Sequence, residues 1–252
     1  MASIDIDKVR IVVVGDSGVG KSSLVHLICH GEPIANASWT IGAAVDVKVH
    51  EYKEGTPSQK THFIEFWDVG GSANHIKSRH IFYNPVHGLI LVHDLTNRKS
   101  HLNLRKWLAE VLNKDSNGIK SGTNGVNDYD PEQYAGSHIP ILVVGTKLDQ
   151  IDPRRESVLS RGSPVAEECG ADEINLDCLQ AKHLSAGSTN SVKLIRFFDK
   201  VIHRRFHSAT PKDSPSQVIE RRFFARDSMQ MGSFQERRRP PQYSKLKNTH
   251  QD

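Results

Sequence analysis

The stretch that most restricts the fold is Gly15-Asp16-Ser17-Gly18-Val19-Gly20-Lys21-Ser22. Val9 to Val14, just before it, is a near-continuous apolar run of the kind that forms a buried parallel strand. Ser23 to Cys29, just after it, has the apolar spacing of an amphipathic helix. Strand, glycine-rich turn and helix turn the pattern G-x-x-x-x-G-K-S into a phosphate-binding loop. Glycine at 15 and 20 frees the backbone so that successive N–H groups converge on an anion, and the positive end of the helix adds to their field. The loop therefore assigns Gly15, Ser17, Gly18, Val19, Gly20, Lys21, Ser22 and Ser23 to a polyphosphate. Lys21 is expected at the β- and γ-phosphates, and the Ser22 hydroxyl on Mg²⁺.

The rest of the chain fits around this unit. Ala44–Tyr52 and Lys60–Trp67 both alternate and are joined by the short turn Lys53 to Ser58, which predicts an antiparallel hairpin. Gly88–His93 and Ile139–Gly145 are buried strands, and Glu173–Cys178 a short one. Helices are expected over Ser100–Leu112 and Ser191–Arg205, with a weaker one over Pro153–Gly170 that Gly162 and Pro164 oppose. Strands alternating with helices predict an α/β fold with a six-stranded, mostly parallel sheet and helices on both faces. Residues 115–137, rich in Gly, Asn and Asp, read as a surface insertion. From residue 207 periodicity is lost, so residues 1–206 are assigned to one domain and 207–252 to a disordered basic tail.

Charge sharpens that division. Residues 204–252 hold 11 Lys/Arg against 5 Asp/Glu, whereas the whole chain is only +4, so the folded part is slightly acidic. A nucleic-acid-binding domain carries its basic patch on the fold, which argues against that class. The three cysteines, Cys29, Cys169 and Cys178, have no metal-binding spacing and read as reduced thiols of a cytoplasmic protein. No run of 18 apolar residues suggests a membrane span, position 2 is not the glycine of a myristoylation signal, and the chain closes on His250-Gln251-Asp252 without a cysteine to prenylate. No stable membrane anchor is expected.

In doubly wound sheets the ligand lies at the carboxyl ends of the strands. Asp68, after Trp67, is placed to hold Mg²⁺ through water, and the Gly71 N–H to meet a γ-phosphate. Thr40 supplies a second hydroxyl for the metal. Thr146-Lys147-Leu148-Asp149 ends a further strand. The Asp149 carboxylate suits the N1–H and N2–H₂ donors of guanine, which adenine lacks, and the Lys147 stem would cover the base. Asp177 and Cys178 mark a loop that closes over the base edge. Taken singly, Asp68 and Asp149 are also ordinary post-strand turn starters, and Cys178 is equally well a packed thiol.

With these residues in place, the chain resembles the small GTPases of the Ras superfamily, most of all the Rab branch. The phosphate loop, Thr40-Ile41-Gly42 and the ungapped stretch from Trp67 to Asp94 carry the resemblance, which spans residues 8–205. Val69-Gly70-Gly71, Tyr52 to Pro57, Asp128-Tyr129-Asp130 and Arg196 to Lys200 narrow it to an atypical Rab-like group. The resemblance implies a P-loop GTPase fold binding GTP or GDP with Mg²⁺. It also implies an unprenylated regulator, homodimeric, that acts on other small GTPases and on their prenylation. The departures are specific. The glutamine that orients the attacking water in Rabs is Ser72, the aromatic that braces the base is Pro33, and the asparagine of the guanine motif is Thr146. The serine-alanine-lysine loop is matched either by Asp177-Cys178 or by Ser185-Ala186. Two activities stay open: a GTP-binding regulator with little hydrolysis, and a competent GTPase switch in vesicle trafficking or signalling. A kinase using ATP is disfavoured by Asp149 and Lys147.

Overall fold

The computed structural model describes residues 7–112, 139–152 and 162–208. A six-stranded sheet runs through them in the order β2-β3-β1-β4-β5-β6. The strands are β1 (Lys8–Val14), β2 (Ala43–Tyr52), β3 (Lys60–Val69), β4 (Gly88–Asp94), β5 (Ile141–Thr146) and β6 (Asp172–Asn175). β2 is antiparallel to β3, and every other pairing is parallel. The carboxyl ends of β1, β3, β4, β5 and β6 therefore share one edge, and β2 begins there. This is the fold of a P-loop GTPase.

Helices cover both faces. On one lie α1 (Lys21–His30) and α5 (Thr189–Phe206); on the other lie α2 (Arg98–Leu102), α3 (Leu104–Leu112) and α4 (Pro164–Cys169). Alternation along the central strands splits their side chains between two cores. Ile11, Val13, Ile90, Val92 and Val144 pack with Leu24, Ile28, Phe198 and Val201. Val12, Val14, Leu89, Leu91 and Val143 pack with Leu104, Leu108, Val111 and Val165. α1 ends on Gly31 at φ 74°, whose N–H returns to the Leu27 carbonyl, a left-handed C-terminal cap.

Several boundaries differ from expectation. The helix expected over Ser100–Leu112 starts earlier, at Arg98, and is two helices parted at Asn103, whose side chain donates to Asp16 Oδ2 at 2.8 Å. The short strand expected over Glu173–Cys178 leaves the sheet after Asn175, because its last paired residue faces Gly145. Pro164, counted against a helix, begins α4 at its first position, where a missing N–H costs nothing. The segment 72–84 forms two 3₁₀ turns, Ala73–His75 and Arg79–Tyr83. The insertion 115–137 falls outside the described residues, as do all of the tail beyond Ser208 and residues 153–161 of the weak helix.

The hairpin alternates in an unexpected sense. Val45, Val47 and Val49 are half exposed, whereas His50 is buried. The inner face of β2 lies under α5, where His50 Nε2 is 2.9 Å from Asp199 Oδ1 and Tyr52 Oη is 3.1 Å from His203 Nδ1. These polar pairs flank the apolar contact that Ile64 and Phe66 of β3 make with Phe198 and Val201 of α5.

Candidate functional site

The phosphate loop starts where β1 ends. Gly15 is required there by contact: a Cβ would stand 2.1 Å from the Val92 carbonyl oxygen of β4. Val19 anchors the loop in the core, while Ser17 and Gly18 stay exposed at its tip. Gly20 is left-handed at φ 91° and opens α1, with Ser22 and Ser23 in the first turn. Lys21 folds back under the loop, its Nζ donating to the carbonyls of Gly15 at 3.0 Å and Asp16 at 2.9 Å. Burial lowers the Lys21 pKa, against the opposing pull of Asp68 and Asp16.

Three oxygens meet beside this lysine. Ser22 Oγ donates to Asp68 Oδ2 at 2.5 Å, Thr40 Oγ1 donates to the same oxygen at 3.1 Å, and the two hydroxyls are 3.0 Å apart. Asp68 is 2% exposed, and its other oxygen, Oδ1, is buried with no hydrogen-bond partner among the described residues. A buried carboxylate oxygen without a donor is costly, and a hard divalent cation with its waters satisfies it. Two hydroxyls and a carboxylate are the all-oxygen donor set that suits Mg²⁺.

Gly71 closes the loop from the other side. A Cβ on it would lie 2.5 Å from the Gly15 carbonyl oxygen and 2.6 Å from Ser17 N. Gly70 N donates to the Gly42 carbonyl at 2.8 Å, so the segments after Thr40 and after Asp68 are bonded to each other. Ser72 follows, and its Oγ accepts from Asn74 N at 3.3 Å. The hydroxyl thus faces back along its own turn.

A second part of the candidate site lies at the ends of β5 and β6. Gly20, Ser23, Thr146, Lys147, Asp149, Gln150, Asp177, Cys178 and Leu179 line an open cleft of about 170 Å³. Leu148 is not in its wall; its N–H reaches the Leu176 carbonyl at 3.4 Å and joins the two loops. Asp149 stands exposed at the rim. Lys147 is left-handed at φ 58° and stretches to Asp94, 2.7 Å from Nζ to Oδ2. Burial raises the Asp94 pKa, but the bonds from Lys147 and Thr96 outweigh it and hold the carboxyl below its usual range. The Asp177 carboxylate is engaged within its own loop, accepting from Leu179 N at 2.8 Å and Gln180 Nε2 at 2.7 Å, and its backbone is engaged too, the N–H by His183 Nδ1 at 2.9 Å and the carbonyl by Gln180 N at 3.2 Å. Burial first, then Asp177 and Asp149, push the Cys178 thiol up to about 12. Ser185 and Ala186, the alternative for this loop, are exposed and do not line the cleft. Pro33 is exposed as well.

Sequence reasoning missed the residues that brace the site from behind. Asp16 accepts from Trp107 Nε1 on α3 at 2.8 Å as well as from Asn103. Arg79 binds Glu110 on α3 and the backbone after Gly70. No local pattern marks the side-chain pairs, which are separated by 31 to 91 residues.

Among the described residues no helix is long and apolar enough to cross a membrane. A family model, "Ras of Complex, Roc, domain of DAPkinase", matches residues 10–121. The chain is 53% identical over 247 residues to "Rab-like protein 3" of Bos taurus, covering 95% of both chains. It is 54% identical over 233 residues to the Homo sapiens protein of the same name, covering 89% of this chain and 96% of that one. A more distant relative is "Small GTPase-like protein LIP2" of Arabidopsis thaliana, 40% identical over 152 residues, which are 56% of this chain and 43% of the relative. Identity of this degree over nearly the full length, on a P-loop GTPase fold, means that the chain belongs to the Rab-like protein 3 family of small GTPases.

Proposed function

We propose that the protein binds GTP and GDP together with Mg²⁺ and works as a regulatory switch with little hydrolysis of its own. The observation that carries the binding half is the Ser22–Thr40–Asp68 oxygen cluster beside Lys21, with Asp68 Oδ1 buried and unpaired among the described residues. Ser22, Thr40 and Asp68 would hold the metal, which supplies charge neutralisation at the phosphates when bound. Lys21 and the N–H groups of residues 17–23 take the phosphates, and the Gly71 N–H takes the third. Lys147, Asp149 and the backbone of Cys178 take the base, with Asp177 holding the loop that carries Cys178.

The regulatory half rests on Ser72. A serine there is too short to reach a water in line with the γ-phosphate, and its hydroxyl already accepts from Asn74 N. The family resemblance supports a cytoplasmic, homodimeric protein acting on other small GTPases and on their prenylation. Titration of the purified protein with a fluorescent GDP analogue, with Mg²⁺ and with EDTA, tests the binding half. Binding of guanine nucleotide that weakens with EDTA is expected; no binding in either condition overturns it. Single-turnover hydrolysis of GTP tests the other half, and fast turnover would make the protein a competent GTPase instead.

A further inference from the structure

Arg79 has no part in the roles assigned so far, yet it is 3% exposed and uses its whole guanidinium. Nε and Nη2 donate to the two carboxylate oxygens of Glu110 on α3, at 3.0 and 2.9 Å. Nη1 donates to the Ser72 carbonyl at 3.1 Å and reaches the Gly70 carbonyl at 3.5 Å. The plane lies over the Trp107 ring, 4.3 Å from its centroid. Glu110 is itself fixed by the Tyr83 hydroxyl at 2.7 Å. Trp107 in turn donates to Asp16 of the phosphate loop.

The two carbonyls gripped by Arg79 flank Gly71. In a trans peptide the C=O and the following N–H point in opposite directions. A Gly70 carbonyl turned to Arg79 thus turns the Gly71 N–H away from it, while Gly71 itself presses on Gly15 and Ser17. Glycine alone would leave that amide free to rotate. We infer that Arg79 is the positioning residue of the γ-phosphate site: braced on Glu110 and Trp107, it sets the Gly71 amide toward the phosphate loop and so lets the protein tell GTP from GDP. An arginine suits this task because its planar fork spans a carboxylate on one edge and carbonyls on the other, which a lysine point charge does not.

This inference rests on the proposed nucleotide binding, and one experiment separates the two. Affinities of the full chain for GDP and for a non-hydrolysable GTP analogue are measured with Mg²⁺ for the wild type, Arg79→Gln, Arg79→Lys and Glu110→Gln, each with its melting temperature. GDP does not reach Gly71, so its affinity is expected to stay within about two-fold. The affinity for the GTP analogue is expected to fall about ten-fold in Arg79→Gln, the loss of one charge-assisted bond. Arg79→Lys should not rescue it, and Glu110→Gln should fall between. Equal losses for both nucleotides, or an unchanged ratio, would make Arg79 a structural residue and overturn the inference alone. Wild-type protein that binds neither nucleotide overturns the binding reading and this inference together. If Arg79→Gln does not fold, the same ratio in Arg79→Lys and Glu110→Gln decides.

Discussion

Thr146 Oγ1 lies 2.6 Å from the Val19 carbonyl and 3.0 Å from the His93 carbonyl, so a single buried hydroxyl joins the end of β5 to the phosphate loop and to β4. Valine has nearly the same shape without the hydroxyl. Thr146→Val leaves the Val19 carbonyl without its donor, at a cost of about 1–3 kcal/mol. The expected outcome is a lower unfolding free energy in urea, and weaker binding of GDP and GTP alike because the loop loses its brace.

In the proposed site, Lys21 and Ser22 carry the phosphate end. Lys21→Ala removes a buried cation from its anionic ligand, which costs at least about 2 kcal/mol, roughly thirty-fold in affinity. Ser22→Asn removes a metal hydroxyl that also donates to Asp68. Both variants should show weakened GDP binding by fluorescence titration, and unchanged affinity in both would refute the assignment of the loop.

Asp149 is exposed at the rim of the proposed base cleft. A site built to pair with polar groups rejects an analogue lacking them by ~10⁴-fold. GTP should therefore outcompete ATP in the wild type, and the preference should collapse in Asp149→Ala. Competition of both triphosphates against a fluorescent guanine nucleotide reads this directly.

Ser72→Gln restores the side chain that places water in Rab GTPases. If the rest of the site is sound, single-turnover hydrolysis should rise by roughly ten- to a hundred-fold. Fast turnover by the wild type that Asn74→Ala abolishes would instead assign the water to Asn74.

His93 gives the fold a pH dependence. Its ring is buried, 4% exposed, and neither nitrogen has a side-chain partner among the described residues. Burial, and His101 beside it, hold its pKa down at about 4 against a usual 6.5. The folded state therefore keeps the ring neutral, while the unfolded chain takes up a proton below about 6.5. The stability tied to this neutral ring is fully present above that pH and is lost as pH falls toward 4, at up to about 1.4 kcal/mol per unit. His87 is lowered too, chiefly by burial, and acts in the same direction. Urea unfolding at pH 7, 6 and 5 should show this fall, and His93→Phe should flatten it.

Periodicity exposed the strands because their alternation is a local property. The phosphate loop was legible for the same reason: its geometry needs its glycines and lysine within eight consecutive positions. The burial sense of β2 was not legible. Whether valines or histidines face inward depends on what α5 brings, and α5 brings Asp199 and His203. Asp177 and Asp149 look alike in sequence, but only the structure shows that the first carboxylate is engaged by Leu179 and Gln180. Arg79, Glu110 and Trp107 belong to two elements on either side of β4 and share no motif, so their meeting is a product of the fold alone.

The ten-pair ladder between β2 and β3 has a mechanical meaning. It runs without a break from Ala43↔Val69 to Tyr52↔Lys60. Thr40 leaves one end and the turn after Tyr52 lies at the other, about 30 Å away at the rise of a strand. The two strands are thus held together along their whole length, and the bond from Gly70 N to the Gly42 carbonyl extends that tie to the segments that carry Thr40 and Gly71. His203 of α5 bears on the hairpin at Tyr52, near its far end. The last turns of α5 therefore bear, through Asp199 at His50 and His203 at Tyr52, on the same strand that begins just after Thr40, so the C-terminal helix and the Thr40 segment are joined through one continuous strand.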